Sequence, residues 1–540
     1  MLDLQTLLSK GYFPRELPPP FHTRLFGQFV AASPSNIPSI VQSAPTAKPM
    51  IYNLARAGTL RRELSVCNPV HYLKLAQCVV KHWSTLVLAT SMSKLSLSKP
   101  VDTQPHRAIE REIAIGDLPK HRAAKRSAAK YLLRTDVTRF YQSVYTHSIP
   151  WALHTKAVAK TNRGPLLLGN ELDQLVRNGQ DAQTTGIPIG PDTSLLLAEL
   201  ILSQVDVALW SQMPINGIRY IDDYELAFQS EGDAKRAQNT LEGILGEYQL
   251  SLNAKKTEIL QLPVPLQESW ASELQLFRFS RKPHIQQGEI IRFFDRAFDL
   301  ARENREEGVL KYVAGRLRQE NICTENLNLL EDLLLQVAVV EAGSMPFVLA
   351  VLLRNVPSPR DIRRENKIQN ALSLIIKEHA PLGHSSEVAW AIWSFLTLAI
   401  NINSDVSASI VDMKDPTSAL VALHARNKGL LEKPDVLDSF QSFMTQPELY
   451  GPRWLLAYEA DVKGWLPSAD RNNHVDSDAR FSQLKKAKVS FYDDAFDWKP
   501  APTVIQSALH RLEDIGGLDL DDSLGEWDYT RSEFWNFRSR

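Results

Sequence analysis

At 540 residues the chain exceeds the ~100–200 residues of one ordinary domain, so at least two units are expected. Hydrophobic residues make up 44% and charged residues 23%, a balance that excludes fibrous and disordered chains. With a formal net charge of -1, any nucleic-acid role must rest on local positive patches rather than on overall basicity.

Cys67, Cys78 and Cys323 show no CxxC or Cys/His ligand spacing. Neither a disulfide framework nor a structural zinc site is therefore expected, and a reducing, cytoplasmic setting is. No apolar run is read as approaching the ~20 residues that span a bilayer, and the start lacks a basic-then-apolar signal layout, so no membrane is expected.

In chain order, the prolines of Gly11–Phe21 rule out a continuous helix there and predict an extended arm. Apolar spacing predicts helix from about Tyr72 to Leu88, then a serine-rich connection over Ser91–Pro100 that leads into a strand. Lys120, Arg122, Lys125, Arg126, Lys130 and Arg134 form a basic run, which either favours an anion or lines a solvated helix face. Tyr131–Thr135 reads as a buried strand that delivers Asp136 to its end.

Thr184–Asp206 is a Gly/Pro-marked turn that opens a strongly apolar helix with Pro191 near its first turn. Gly217–Phe228, GIRYIDDYELAF, alternates apolar and β-branched residues around an Asp-Asp pair, as in a tight hairpin with the acids at its turn. LSLNAKKTEIL then places Lys256 and Thr257 on another strand. After Leu262, amphipathic helices are expected over Ile290–Asn304, Leu327–Ala342, Asp361–His379, Val388–Ala399 and Ser418–Leu431, as an irregular α-solenoid or bundle. Trp454, Trp465, Trp498, Trp527 and Trp535 are expected to pack as a terminal cap.

Adjacent carboxylates at Asp222 and Asp223 repel, and partial enclosure makes that repulsion costly unless a cation sits between them, which makes Mg²⁺ a natural partner. Asp136 supplies a further acid from a separate strand end. Acids from two such elements can hold two ions for in-line phosphoryl transfer.

The order and spacing of these pieces, from Tyr131 to about Leu262, resemble the palm of reverse transcriptases. The resemblance implies metal-binding, catalytic roles for Asp136, Asp222 and Asp223, and two Mg²⁺ ions. It implies nucleotide-binding roles for Tyr141 as an aromatic steric gate that selects dNTPs, for Pro188, Gly190 and Ser194 of a P-x-G-x-x-x-S motif, for Arg107 at the incoming triphosphate, and for Lys256 near the pyrophosphate. Arg111, Lys120, Arg122 or Lys125 could serve in place of Arg107. Ile189 departs from the glutamine common between that proline and glycine, which puts ordinary template handling in doubt.

Tyr145–Gly164, GIPIGPDTS and RYIDDY further resemble the abortive-infection (AbiK/AbiA-like) reverse transcriptases of bacterial antiphage defence. That resemblance implies an α+β fold: a fingers–palm domain over 1–285 and an all-α, HEAT-like domain over 286–540. It implies a trimer or hexamer that makes DNA from dNTPs without a conventional primer, protein-primed or untemplated. A templated alternative copies an associated noncoding RNA, and another makes the palm a catalytically dispensable scaffold for RNA binding or phage sensing. No spacing rule selects a priming tyrosine, although Tyr12 and Tyr52 lie in the arm-like region.

Overall fold

The structure, a computed structural model, describes residues 2–34, 37–42, 44–103, 107–318, 320–353 and 361–496. Trp498, Trp527 and Trp535 lie outside the described residues.

Strands β1 (Met50–Ala55) and β2 (Arg61–Val66) form an antiparallel hairpin, and β3 (Pro100–Val101) pairs with β4 (Glu110–Arg111). The central sheet holds β5 (Tyr131–Thr135), β6 (Asn216–Tyr220), β7 (Asp223–Phe228) and β8 (Glu258–Gln261) in the order β6-β7-β5-β8, every neighbour antiparallel. Antiparallel strands tolerate one covered and one open face. Helix Glu231–Glu247 lies against β5, β7 and β8, burying Ala234, Ala237, Leu241, Ile244 and Leu245. Its N-cap is set by Ser230, which accepts from the Asp233 N–H.

Helix Asp192–Gln212 is the central pillar of this half. Contrary to the expectation of no bilayer-length run, it is long and apolar enough to cross a membrane, but 72% of its most apolar window is buried inside the fold. It reads as apolar because protein surrounds it, and its three buried acids, Asp192, Glu199 and Asp206, have partners described below.

The expected helical stretch near Tyr72 resolves into two helices, Pro69–Lys81 and Trp83–Ser91, broken at His82. The basic run divides, with Lys120 and Lys130 exposed and two arginines turned inward. Arg122 and Arg126, on helix Leu118–Arg126, are buried and bond both oxygens of Glu225 on β7, at 2.7 and 2.5 Å. Although burial opposes ionisation, these guanidiniums hold the Glu225 carboxyl below its usual range. Two arginines are thus spent inside the palm.

Beyond the sheet the regular elements among the described residues are helices. Pro283–Glu303, Leu327–Val340, Ile362–His379, Ser385–Thr397 and Pro416–Asn427 stand where amphipathic spacing predicts helices, with ends displaced by a few residues at caps such as Asp361 and Asp415. The expected division at 285/286 falls within the first turn of helix Pro283–Glu303.

The helices return to the half that holds the central sheet. Arg61 of β2 pairs with Glu387, the Trp390 indole donates to the Glu16 carbonyl at 3.0 Å, and the Trp454 indole donates to the Val66 carbonyl at 3.0 Å. The expected N-terminal arm is therefore embedded. Tyr12 stacks on Tyr72 with centroids 4.2 Å apart, and Phe13 and Phe26 pack against Phe491 at 5.8 and 5.5 Å. Proline prevented a helix there, and aromatic burial anchored the extended chain in its place.

Candidate active site

The site begins with a two-residue turn. Tyr220 pairs with Asp223 across β6 and β7, so Ile221 and Asp222 form the loop, and Ile221 has φ +52°. A β-branched residue in the left-handed region costs on the order of 1–3 kcal/mol, and such a conformation persists only where its surroundings over-determine it. Here both peptide groups of Ile221 are held. Its N–H donates to Ser98 Oγ at 2.7 Å, and its carbonyl accepts from Arg219 Nη1 at 2.5 Å.

Arg219 is wholly buried. Its Nη1 and Nη2 donate to the two oxygens of Glu199 at 2.9 and 3.0 Å, and its Nε donates to Asp206 Oδ2 at 2.9 Å. The remaining acceptor capacity of these acids is filled by hydroxyls. Ser96 and Ser98 donate to Glu199 at 2.8 and 2.5 Å, while Ser93 and Tyr224 donate to Asp206 at 2.6 and 2.9 Å. The serine-rich connection is therefore no passive linker. It runs beside β6, pairing Ser96 with Arg219, and supplies the hydroxyls that complete the network.

Asp136 stands at the end of β5, one step past the Thr135–Tyr224 pair, which sets it against Asp223 across the ladder. It and Asp222 are both largely buried, at 6% and 8% exposure. Lys256 lies in the turn before β8 rather than on the strand, and its Nζ is 3.0 Å from Asp136 Oδ2. Asp136 Oδ1 is buried without a hydrogen-bond partner among the described residues.

The fields agree with this placement. Burial raises the Asp136 carboxyl, Lys256 lowers it and Asp223 raises it further, for a net rise. Burial opposes the Lys256 charge, yet Asp136, Asp223 and Asp222 together raise its pKa. Three carboxylates thus act on one ammonium. Asp136, Asp223 and Lys256 line one cavity, whose far wall includes Glu307 from the helical half.

A second cavity lies on the other flank of the turn. Tyr141, Gly190, Ser194 and Arg107 line it, with Tyr220 and Ile221 at its edge. Four of the six residues expected at a nucleotide thus share one cavity, Lys256 lies in the other, and Pro188 lines neither.

Gly190 has φ +122°, and a Cβ there would meet Pro14 Cγ at 2.6 Å, so both backbone and space require glycine. Arg107 sits in a bend before β4, and its guanidinium is engaged. It pairs with Asp192 and donates to the Phe13 and Gly190 carbonyls at 2.8 and 3.2 Å. In this state it ties the P-x-G turn to the N-terminal segment.

Sequence reasoning missed Asp192, which also accepts from the Ala108 and Ile109 N–H groups, and missed the Arg219 network altogether. One signal was present. Glu199 and Asp206 lie seven apart on one face of an otherwise apolar helix, and buried acids at that spacing call for a shared cation.

Residues 57–280 match the family described as "Reverse transcriptase (RNA-dependent DNA polymerase)". No curated protein matches the chain. Among solved structures, the telomerase of Candida albicans, in complex with a TWJ fragment of telomeric RNA, is similar at 11% identity with a TM-score of 0.26. That similarity covers 74% of this chain and 69% of that one. The match over 57–280 spans the β6–β7 turn, the P-x-G turn and all three acids, so the chain carries a reverse-transcriptase domain and is an RNA-directed DNA polymerase, a nucleotidyltransferase.

Proposed function

We propose that the protein synthesises DNA from dNTPs at Asp136, Asp222 and Asp223, as an oligomeric antiphage-defence enzyme of the abortive-infection type, starting without a conventional primer. The observation that supports this centre is the convergence of three carboxylates on Lys256, with Asp136 Oδ1 left unpartnered. The donor set suits Mg²⁺, since every available ligand atom is a hard carboxylate oxygen and one ammonium does not balance three acids. Bound there, two such ions would supply Lewis acidity to the attacking hydroxyl and the pyrophosphate leaving group.

The chain's own residues set the rest. Lys256 stays protonated beside the acids and is placed to meet the leaving phosphates. Tyr141, at the cavity on the other flank, would collide with a ribose 2′-hydroxyl. Tyr12 and Tyr52 make poor priming nucleophiles in this state, because both are wholly buried and their hydroxyls donate to the Cys67 and Glu16 carbonyls. The helical half after 285 is read as the HEAT-like region of that group.

Incubating the purified protein with each labelled dNTP, followed by protease or ribonuclease, tests the reading. We expect DNA without added primer, protease-sensitive in mobility, and none from Asp222→Asn protein that folds and assembles like the parent. Normal extension by Asp222→Asn would remove the assignment. A single defined product sequence would favour copying of an associated noncoding RNA, and variable sequence untemplated growth. Tyr141→Ala should raise ribonucleotide use relative to dNTP use ~10-fold or more, read by competition between the two.

A further inference from the structure

A cluster of metal-ligand side chains lies outside the polymerase centre. Helix Ile362–His379 ends in a short 3₁₀ turn, Ala380–Leu382, and reverses at Gly383, whose φ is +67°. Nothing stands within 4 Å of where a Cβ would be, so backbone conformation alone explains that glycine. The reversal faces His384 back toward His379, and helix Ser385–Thr397 presents Glu387 from its first turn.

The three donor atoms form a triangle. His379 Nδ1 and His384 Nδ1 are 2.8 Å apart, and they lie 3.6 and 3.5 Å from Glu387 Oε1. Ligands ~2.0–2.1 Å from one tetrahedral ion are separated by roughly 3.3–3.4 Å, a spacing these edges bracket. A proton shared by the imidazoles would account for the 2.8 Å edge alone. It leaves both contacts to Oε1 longer than a hydrogen bond, whereas an ion at the centre satisfies all three.

The carboxylate is already oriented for this. Arg61 bonds both oxygens and Ser386 Oγ donates to Oε2 at 2.6 Å. That accounts for both lone pairs of Oε2 and one of Oε1, and the remaining acceptor site is on the oxygen that faces the histidines. Such outer hydrogen bonds are the usual means of fixing a ligating carboxylate. Glu387 is 2% exposed and the two imidazoles are 21% and 20% exposed, which leaves solvent access for a fourth, water ligand.

We infer that His379, His384 and Glu387 bind one first-row transition-metal ion of the Zn²⁺ class, which clasps the β1–β2 hairpin to the helical half. Two imidazoles and one carboxylate select such ions over Mg²⁺, which prefers oxygen. The clasp follows from the neighbours. Arg61 of β2 holds the ligating carboxylate, Asn53 Nδ2 of β1 donates to the Gly383 carbonyl at 3.0 Å, and the Ala55 N–H donates to Ser386 Oγ at 2.8 Å. The ion thus sits where the hairpin meets the turn between two helices. The cavity it faces also shares Glu307 with the polymerase cavity.

The test uses the full chain without a histidine tag, stripped of metal and titrated with Zn²⁺ against a chromophoric chelator in excess Mg²⁺, which occupies the catalytic acids. We expect one tight equivalent, weakened at least 100-fold in His379→Ala/His384→Ala protein, and a Co²⁺ visible band that the variant lacks. Retention of the polymerase fold by circular dichroism validates the comparison, and His384→Asn serves if the double variant does not fold. Absence of a tight equivalent in the parent chain, or equal binding by parent and folded variant, overturns the inference.

Discussion

The acids beneath the catalytic turn and Glu459 of the helical half are buried in different ways. Beneath the Asp222–Asp223 turn, Glu199 and Asp206 share the Arg219 guanidinium and four hydroxyls, so charge is kept and compensated. In the helical half, wholly buried Glu459 accepts from neutral donors, the Phe491 N–H at 2.5 Å and Ser490 Oγ at 2.8 Å. Burial pushes its carboxyl up to about 7. Compensation by a fixed cation makes a rigid platform, whereas support by dipoles alone leaves a group that titrates near neutrality.

Removing the cation breaks the contrast most severely. Arg219→Met should destabilise the protein by about 3–5 kcal/mol, because it strands two buried acids, and should abolish DNA synthesis. Denaturant unfolding and dNTP incorporation measure both effects. Arg219→Lys, which keeps the charge without the planar fork, should recover part of the stability and little of the activity.

A gentler cut separates positioning from folding. Ser98→Ala removes the acceptor that holds the Ile221 N–H and should cost about 1–2 kcal/mol. If the turn is held for catalysis, kcat falls while KM for dNTP stays within about twofold, because an interaction felt mainly in the transition state has been lost. An unchanged kcat would show that the strand pairing alone sets the turn.

The smallest effect sharpens the other side. The folded-state pKa of Glu459 is raised, so its contribution to stability is fully present below the ordinary carboxyl range and is lost as pH climbs through about 7. Glu459→Gln should flatten that decline between about pH 5 and 7, by roughly 2–3 kcal/mol, read from thermal unfolding across pH.

Local pattern explains what could be read from the sequence. The alternation around Asp222–Asp223, the strand ending at Asp136, the P-x-G opening of helix Asp192–Gln212 and the amphipathic helices after Pro283 all depend on neighbours within a few residues. What stayed hidden depends on distance along the chain. Arg122 and Arg126 look like a solvated face until Glu225, about a hundred residues later, is brought beneath them. The serines of 93–98 look like a linker until Glu199, Asp206 and Ile221 arrive. The proline-rich segment looks like an arm because many of its aromatic partners, Phe491 and Tyr492 among them, lie hundreds of residues later. His379, His384 and Glu387 meet only through the reversal at Gly383, which no local pattern of ligand types signals.

The closure of the chain's two distant parts has a consequence for biogenesis. Asp493 donates its N–H to the Pro20 carbonyl at 2.8 Å, and Phe491 wedges among Tyr12, Phe13, Phe26, Trp454 and Tyr458. A ribosome emits these partners hundreds of residues apart, so the segment that buttresses Gly190 must wait, unsheltered, through most of translation. Nascent chains arrested before Tyr458 should therefore remain protease-sensitive around Tyr12 and bind hydrophobic chaperones, and the polymerase would become competent only once Phe491 has emerged.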